Sequence, residues 1–287
     1  MTAIHLTEDG PLRRLLEGSY VDHLCTLTLV VVAINSNEDP TLFLAALAAL
    51  VVGVLRPAWS RTSWWWFATA AVLAARQVSD WQGIDNHVVV TTYWTLALAI
   101  GLTADDPPRV LARSARWIVG LVFGFAVYWK LASPDFVDGD FFRFTLLTDD
   151  RFDAVARWIG GVPSDGMAAN DEAWLAVVRG DDAAVLVGGP RLDALALFMA
   201  WFAIVTESFI AVAHLAPLRG RWTVLRPASL LFFCLGTYIV VPVGGFGCLL
   251  AVLALADDQL TPTWRRAYLW LFAGLVVYGP IWWLLFG

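Results

Sequence analysis

Residues 120–139 read GLVFGFAVYWKLASPDFVDG. An apolar stretch of helical length runs up to Lys130, Pro134 closes it, and an acidic segment follows. Proline cannot continue a helix and biases the residue before it away from helical backbone, so the helix predicted here ends at about 134. The Lys130 amine stands four residues short of that end, about 6 Å along the axis. It is the one lysine of the chain; the other eighteen of its 19 basic residues are arginine. A basic side chain near a membrane helix end serves as an interfacial anchor by snorkelling. Arginine would do that equally well, whereas only the lysine amine can shed its proton when desolvated.

Stretches of the same character recur along the chain. It is 59% hydrophobic and 15% charged, with a mean hydropathy of +0.66, outside the range of soluble globular domains. The expected fold class is therefore all-α, a polytopic membrane helix bundle of about eight spans with an extracytoplasmic loop cap. The spans read as 20–35, 41–56, 63–79, 87–103, 114–134, 192–216, 227–256 and 266–286. The run 227–256 is about 45 Å long if fully helical, more than a bilayer core needs. Pro242–Gly245 interrupts it, so a kinked single span is preferred over two short halves. The sixteen tryptophans suit a membrane–water interface. Long apolar runs, not short alternating segments, argue against an outer-membrane barrel.

Arginine placement sets the predicted orientation, with the N-terminus cytoplasmic and the protein multi-pass in the cell membrane. Arg13, Arg14, Arg56, Arg61, Arg109, Arg113, Arg219, Arg221 and Arg226 then fall inside, and Lys130 faces outward. Arg265 and Arg266 fall outside, a conflict that two crossings by 227–256 would remove. The 135–190 segment holds eleven acids against four arginines, a net of −7, and forms the cap. Amphipathic helices are expected at 152–158 and 172–178, and a short interfacial one at Pro11–Glu17. The first eighteen residues have no apolar core of a cleavable signal peptide. Cys25, Cys234 and Cys248 lie in apolar runs without the spacing of a disulfide framework or metal site, and no metal is expected. Nothing suggests nucleic-acid binding.

Ionisable groups inside apolar spans are functional candidates, because each costs roughly 2.5–3.5 kcal/mol to insert. Lys130 is the first. His87 opens the fourth span within Asp80–Val88, on the same outer side, and Asn86 before it suits the helix N-cap. Glu207 lies in mid-span six, with His214 seven residues on and on the same helical face, as structural or relay groups. Glu207 is about 22 Å from the outer start of its span, so no direct contact with Lys130 is expected of straight helices. Gly120 and Gly124 form a GxxxG, read as close helix packing.

Two stretches carry a family resemblance: DNHVVVTTY at 85–93 and YWKLASPDFVDG at 128–139. Together they resemble the membrane domain of vitamin K-dependent gamma-carboxylase, which is shared with the bacterial horizontally-transferred-transmembrane-domain (HTTM) family. There an Asn-His at a helix start is followed by a helix ending in Lys-Leu and by a Pro/Asp-aromatic-x-x-Gly turn. The resemblance spans most of 20–256 in helix pattern and about twenty residues in motif. It implies a reduced naphthoquinone of the vitamin K type as cofactor and Lys130 as the base that deprotonates it. It also implies Asn86 and His87 bonding the quinol oxygens, with His87 beside Lys130 in the catalytic set, and Trp81, Tyr128 and Asp135 as further ligand contacts. Glu207 resembles a family acid. The partners implied are the lipid bilayer, the quinol and a peptide or protein substrate; the activity implied is quinol-dependent oxygenation or carboxylation.

The departures are specific. No stretch up to Gly287 resembles the large lumenal portion that binds the carboxylase's substrate peptide. Where the family helix carries a histidine, this sequence has Phe233-Cys234. Two other readings therefore stand beside the enzyme: a non-enzymatic accessory protein for peptide maturation or export, whose acidic cap would hold a cationic peptide, and a quinone-linked subunit of the DoxX type.

Overall fold

The computed structural model describes residues 19–37, 39–81, 83, 85–180, 185–238 and 244–286, with side chains described as far as 278. Among these the chain is all-helical, as expected. The helix expected at Pro11–Glu17 lies outside the described residues, and so does the kink expected within 227–256, at 239–243. The helices divide into two compact units, and the division falls between Val119 and Gly120 inside one long helix.

The first unit takes the chain up to Val119 and from Val243 on. Its helices are α1 (Tyr20–Ile34), α2 (Pro40–Leu55), the single turn α3 (Pro57–Ser60), α4 (Ser63–Ser79) and α5 (Asn86–Gly101). It also holds the first part of α6 (Pro107–Ala132), then α13 (Gly244–Leu255) and α14 (Pro262–Phe286). Local chemistry sets the starts. Ser19 and Asp22 form a reciprocal capping box on α1. The Asp39 carboxylate accepts the Thr41 and Leu42 amides, and Pro40 supplies the first position of α2. Helix α13 is apolar all round and buried from Gly247 to Leu253, packed against α1, α5 and α14. A helix without a polar face is a core helix.

The second unit, Gly120–Pro242, holds the rest of α6. It continues through α7 (Pro134–Val137), α8 (Asp140–Thr148), α9 (Asp153–Trp158), α10 (Ser164–Val178), α11 (Pro190–Leu215) and α12 (Leu225–Tyr238). The loop expected over 135–190 is thus largely helical, and α9 and α10 take in the two amphipathic stretches expected at 152–158 and 172–178.

Two helices, α6 and α11, are each 26 residues long and apolar enough to cross a membrane. Only 28% and 33% of their most apolar windows are buried. Their exposed faces carry Trp117, Leu121, Phe125 and Trp129 on α6, and Phe198, Trp201, Val205 and Val212 on α11. Apolar side chains on the exposed face reverse the pattern of a helix that meets water.

Candidate functional site

Helix α11 presents one stripe to the inside of the second unit. Ala200, Ile204, Glu207, Ala211 and His214 follow at alternating steps of four and three, the spacing that keeps residues on one helical face. All five are buried. Below Glu207 the stripe receives α6. A Cβ on Gly120 would stand 2.6 Å from Leu215 Cδ2 and 3.3 Å from His214 Cβ, and one on Gly124 would stand 4.0 Å from Ala211 Cβ. The GxxxG is a packing motif, as expected, and its partner is α11.

The same antiparallel register brings Lys130 to Glu207. Its Nζ donates to both carboxylate oxygens, at 2.9 Å to Oε1 and 2.7 Å to Oε2. The expected separation of the two by depth is therefore wrong. That estimate took the start of α11 as level with the end of α6. Instead the first turns of α11 rise past α6 and pack on α7 and α8. The 17 residue steps from Pro190 to Glu207, about 25 Å of helix, are needed to descend to Lys130.

Above the pair sits an elbow. After α6, Ser133 turns the chain into α7, with the amides of Phe136 and Val137 both donating to its carbonyl oxygen at 3.2 Å. Gly139, at φ +86°, turns it again into α8. Only glycine adopts that φ without strain. The elbow drives Phe136 onto Ala200 and Ile204, buried, with its ring 5.3 Å from the Lys130 amine and stacked 5.3 Å from Phe141. The Glu207 side chain is 9% exposed and the Lys130 side chain 21%. Taking either charge alone out of water would cost several kcal/mol. Together they form a neutral, doubly hydrogen-bonded unit with one side of the amine turned to an aromatic ring.

His214 is buried two turns further along α11, about 10 Å from Glu207. Its Nδ1 donates to the Ile210 carbonyl at 2.9 Å. Tyr128 is exposed on α6 and packs edge-on against Trp129, and Asp135 is exposed in the first turn of α7.

The remaining candidates belong to the first unit. The N-cap of α5 is Asp85, not Asn86, because helical backbone already begins at Asn86. Asn86 and Trp81 are exposed. His87 is half-buried, with Nδ1 3.7 Å from Asp85 Oδ2 and its ring beside Phe246. A polar layer, not anticipated from sequence, joins the ends of α1, α4 and α5 around it. Asn35 Nδ2 donates to Thr91 Oγ1 at 2.9 Å, and Thr91 Oγ1 donates to the His87 carbonyl at 2.9 Å. Arg76 donates to the Asn35 carbonyl, and Gln77 to Thr92 Oγ1 at 2.6 Å. The three cysteines are buried free thiols.

No family model, curated protein or solved structure matches the chain.

Proposed function

We propose that the chain is a multi-pass membrane protein of about eight spans in which Lys130 and Glu207 form a proton-transfer couple, and that the couple serves a reduced naphthoquinone in the manner the carboxylase resemblance implies. The observation that supports this reading is the bidentate pairing of the only lysine with a buried glutamate between two apolar helices. An anchoring lysine would turn its amine outward to headgroups; this one is turned inward.

The residues present fit such a group. Glu207 occupies two of the three amine hydrogens, no further acceptor meets the amine among the described residues, and Phe136 supplies an aromatic wall. Bound there, a reduced naphthoquinone would supply an ionisable hydroxyl and a centre that reacts with oxygen. Passing a proton from the Lys130 ammonium to the Glu207 carboxylate converts an ion pair into a neutral amine and a neutral acid. That step changes no net charge in a water-poor setting, so it is less costly there than releasing a proton to solvent. The neutral amine is then a general base for the hydroxyl, and Glu207 keeps it in place and holds the displaced proton.

The test is turnover of menadiol with oxygen by the full chain in nanodiscs, followed by product analysis. Lys130→Arg keeps the charge but removes the base, and turnover is expected to fall to background. Full turnover by K130R would sink the proposal. A second reading, a non-enzymatic membrane protein, draws support from the unbroken Gly120–Leu215, Gly124–Ala211, Lys130–Glu207 register, in which the ion pair pins two helices. On that reading no variant changes quinol turnover, and K130R preserves whatever partner binding the protein has.

A further inference from the structure

Lys130 lies in the last turn of α6, and a side chain so placed has rotamers leading away from Glu207. What holds it inward is not contained in α6. The Ser133–Gly139 elbow is fixed at both ends: by the turn bonds on the Ser133 carbonyl, and by Gly139, whose backbone lies so close to α11 that a Cβ would fall 2.9 Å from Leu197 N and 3.0 Å from Leu197 Cα. Between these fixed points Phe136 is buried, seated on Ala200 and Ile204 and flanked by Phe141 at 5.3 Å and Phe142 at 5.4 Å. So packed, the ring turns one face to the amine, 5.3 Å from its centroid. An aromatic face attracts a cation and offers no acceptor through which water could solvate it.

We propose that Phe136 is the positioning residue of the Lys130–Glu207 couple: its ring closes the outer side of the amine, holds it on the carboxylate and limits its exchange with solvent. This rests on the reading of the pair as a proton-transfer couple, and names the group that would keep its proton from leaking.

The chain's single lysine makes this directly measurable, because amine-directed reagents have one side-chain target. The full chain in nanodiscs is treated with acetic anhydride at fixed pH, and acetylation of the peptide carrying Lys130 is followed by mass spectrometry. Phe136→Leu keeps an apolar side chain but removes the ring; its labelling rate is expected to rise about five-fold, the equivalent of one moderately desolvated cation–π contact. Phe136→Trp restores a ring and is expected to return the rate to within about two-fold of the parent. A parent-like rate in F136L, or an F136W rate as high as that of F136L, would overturn the proposal. Should F136L fail to fold, Phe136→Met, which fills the site with a flexible apolar chain, answers the same question. The quinol reading fails separately. If the parent does not turn over menadiol yet labelling tracks the ring, Phe136 positions the amine for other chemistry. If the parent turns over menadiol yet labelling ignores the ring, the couple stands and the role of Phe136 does not.

Discussion

Gly139 lies backbone to backbone against Leu197, where the elbow leading out of α6 meets the upper part of α11. Two separate costs meet there if a methyl group is added: a left-handed conformation at φ +86° and an overlap with backbone atoms that cannot rotate away. Gly139→Ala is expected to cost on the order of 2 kcal/mol, the conformational penalty alone being roughly 1–2 kcal/mol. Thermal unfolding in detergent checks this. Gly180, also at positive φ but with nothing among the described residues near a built Cβ, is the control and should show only the conformational part when replaced by alanine.

Breaking the Lys130–Glu207 pair from one side leaves the other charge in an apolar setting. Glu207→Gln or Lys130→Met alone is expected to destabilise by about 3–5 kcal/mol, and the double variant by much less than the sum. A double-mutant cycle by chemical denaturation measures the coupling. Additive losses would mean that the two side chains act independently of one another.

Asn35 Oδ1 is buried without a hydrogen-bond partner among the described residues, and a Cβ on Gly245 would lie 2.0 Å from it. Asn35 cannot swing aside without giving up its bond to Thr91. Gly245→Ala is therefore expected to destabilise, by about 1–3 kcal/mol as for an overpacked core site. Adding Asn35→Ala should recover a good part of that loss. Equal melting temperatures for G245A and the parent would contradict the close approach.

Two aspartates of the helical 135–190 segment have opposite pH signatures. Burial and the charges of Asp150 and Asp153 hold Asp171 above the usual carboxylate range. Its contribution is complete below the unfolded pKa and is lost as pH rises through the folded one. Asp171→Asn should thus stabilise slightly at pH 7, within about 0.5 kcal/mol for an exposed site, and match the parent in acid. At Asp149 burial raises the carboxyl, but hydrogen bonds from the Arg151 side chain and amide, with the Arg151 charge, outweigh it and bring the group below its ordinary value. Its contribution is present above the unfolded pKa and lost as pH falls through the folded one. Asp149→Asn should therefore destabilise at pH 7 and approach the parent in acid. Denaturation at the two pH values separates the two signs.

The helices were legible because their boundaries are written in local chemistry. Pro40, Pro107, Pro190 and Pro262 open helices, Ser19 and Asp39 cap them, and the apolar runs between are long. The Lys130–Glu207 pair was not predicted, although a signal for it existed. The stripe Ala200, Ile204, Glu207, Ala211, His214 marks the face that a Gly120–Gly124 helix seeks, and sliding one along the other places Lys130 against Glu207. Depth counted from a helix end hid this, since the count assumes that every apolar helix begins at the same level. The Asn35–Thr91–His87 layer had no comparable signal. It joins the end of one helix to the start of another 56 positions away, through side chains that leave no period in the sequence.

The burial of α13 bears on how the chain is assembled. With 12 residues it is about 18 Å long, well short of the ~30 Å hydrocarbon core. Within its unit it has neighbours on several sides and no polar face. In a membrane protein such a segment gains little by partitioning into lipid alone, and α14, one of the helices that covers it, is synthesised after it. On the multi-pass reading proposed above, α13 stays without its α14 neighbour until that later helix is in place, so the centre of this unit closes only after α14 joins it.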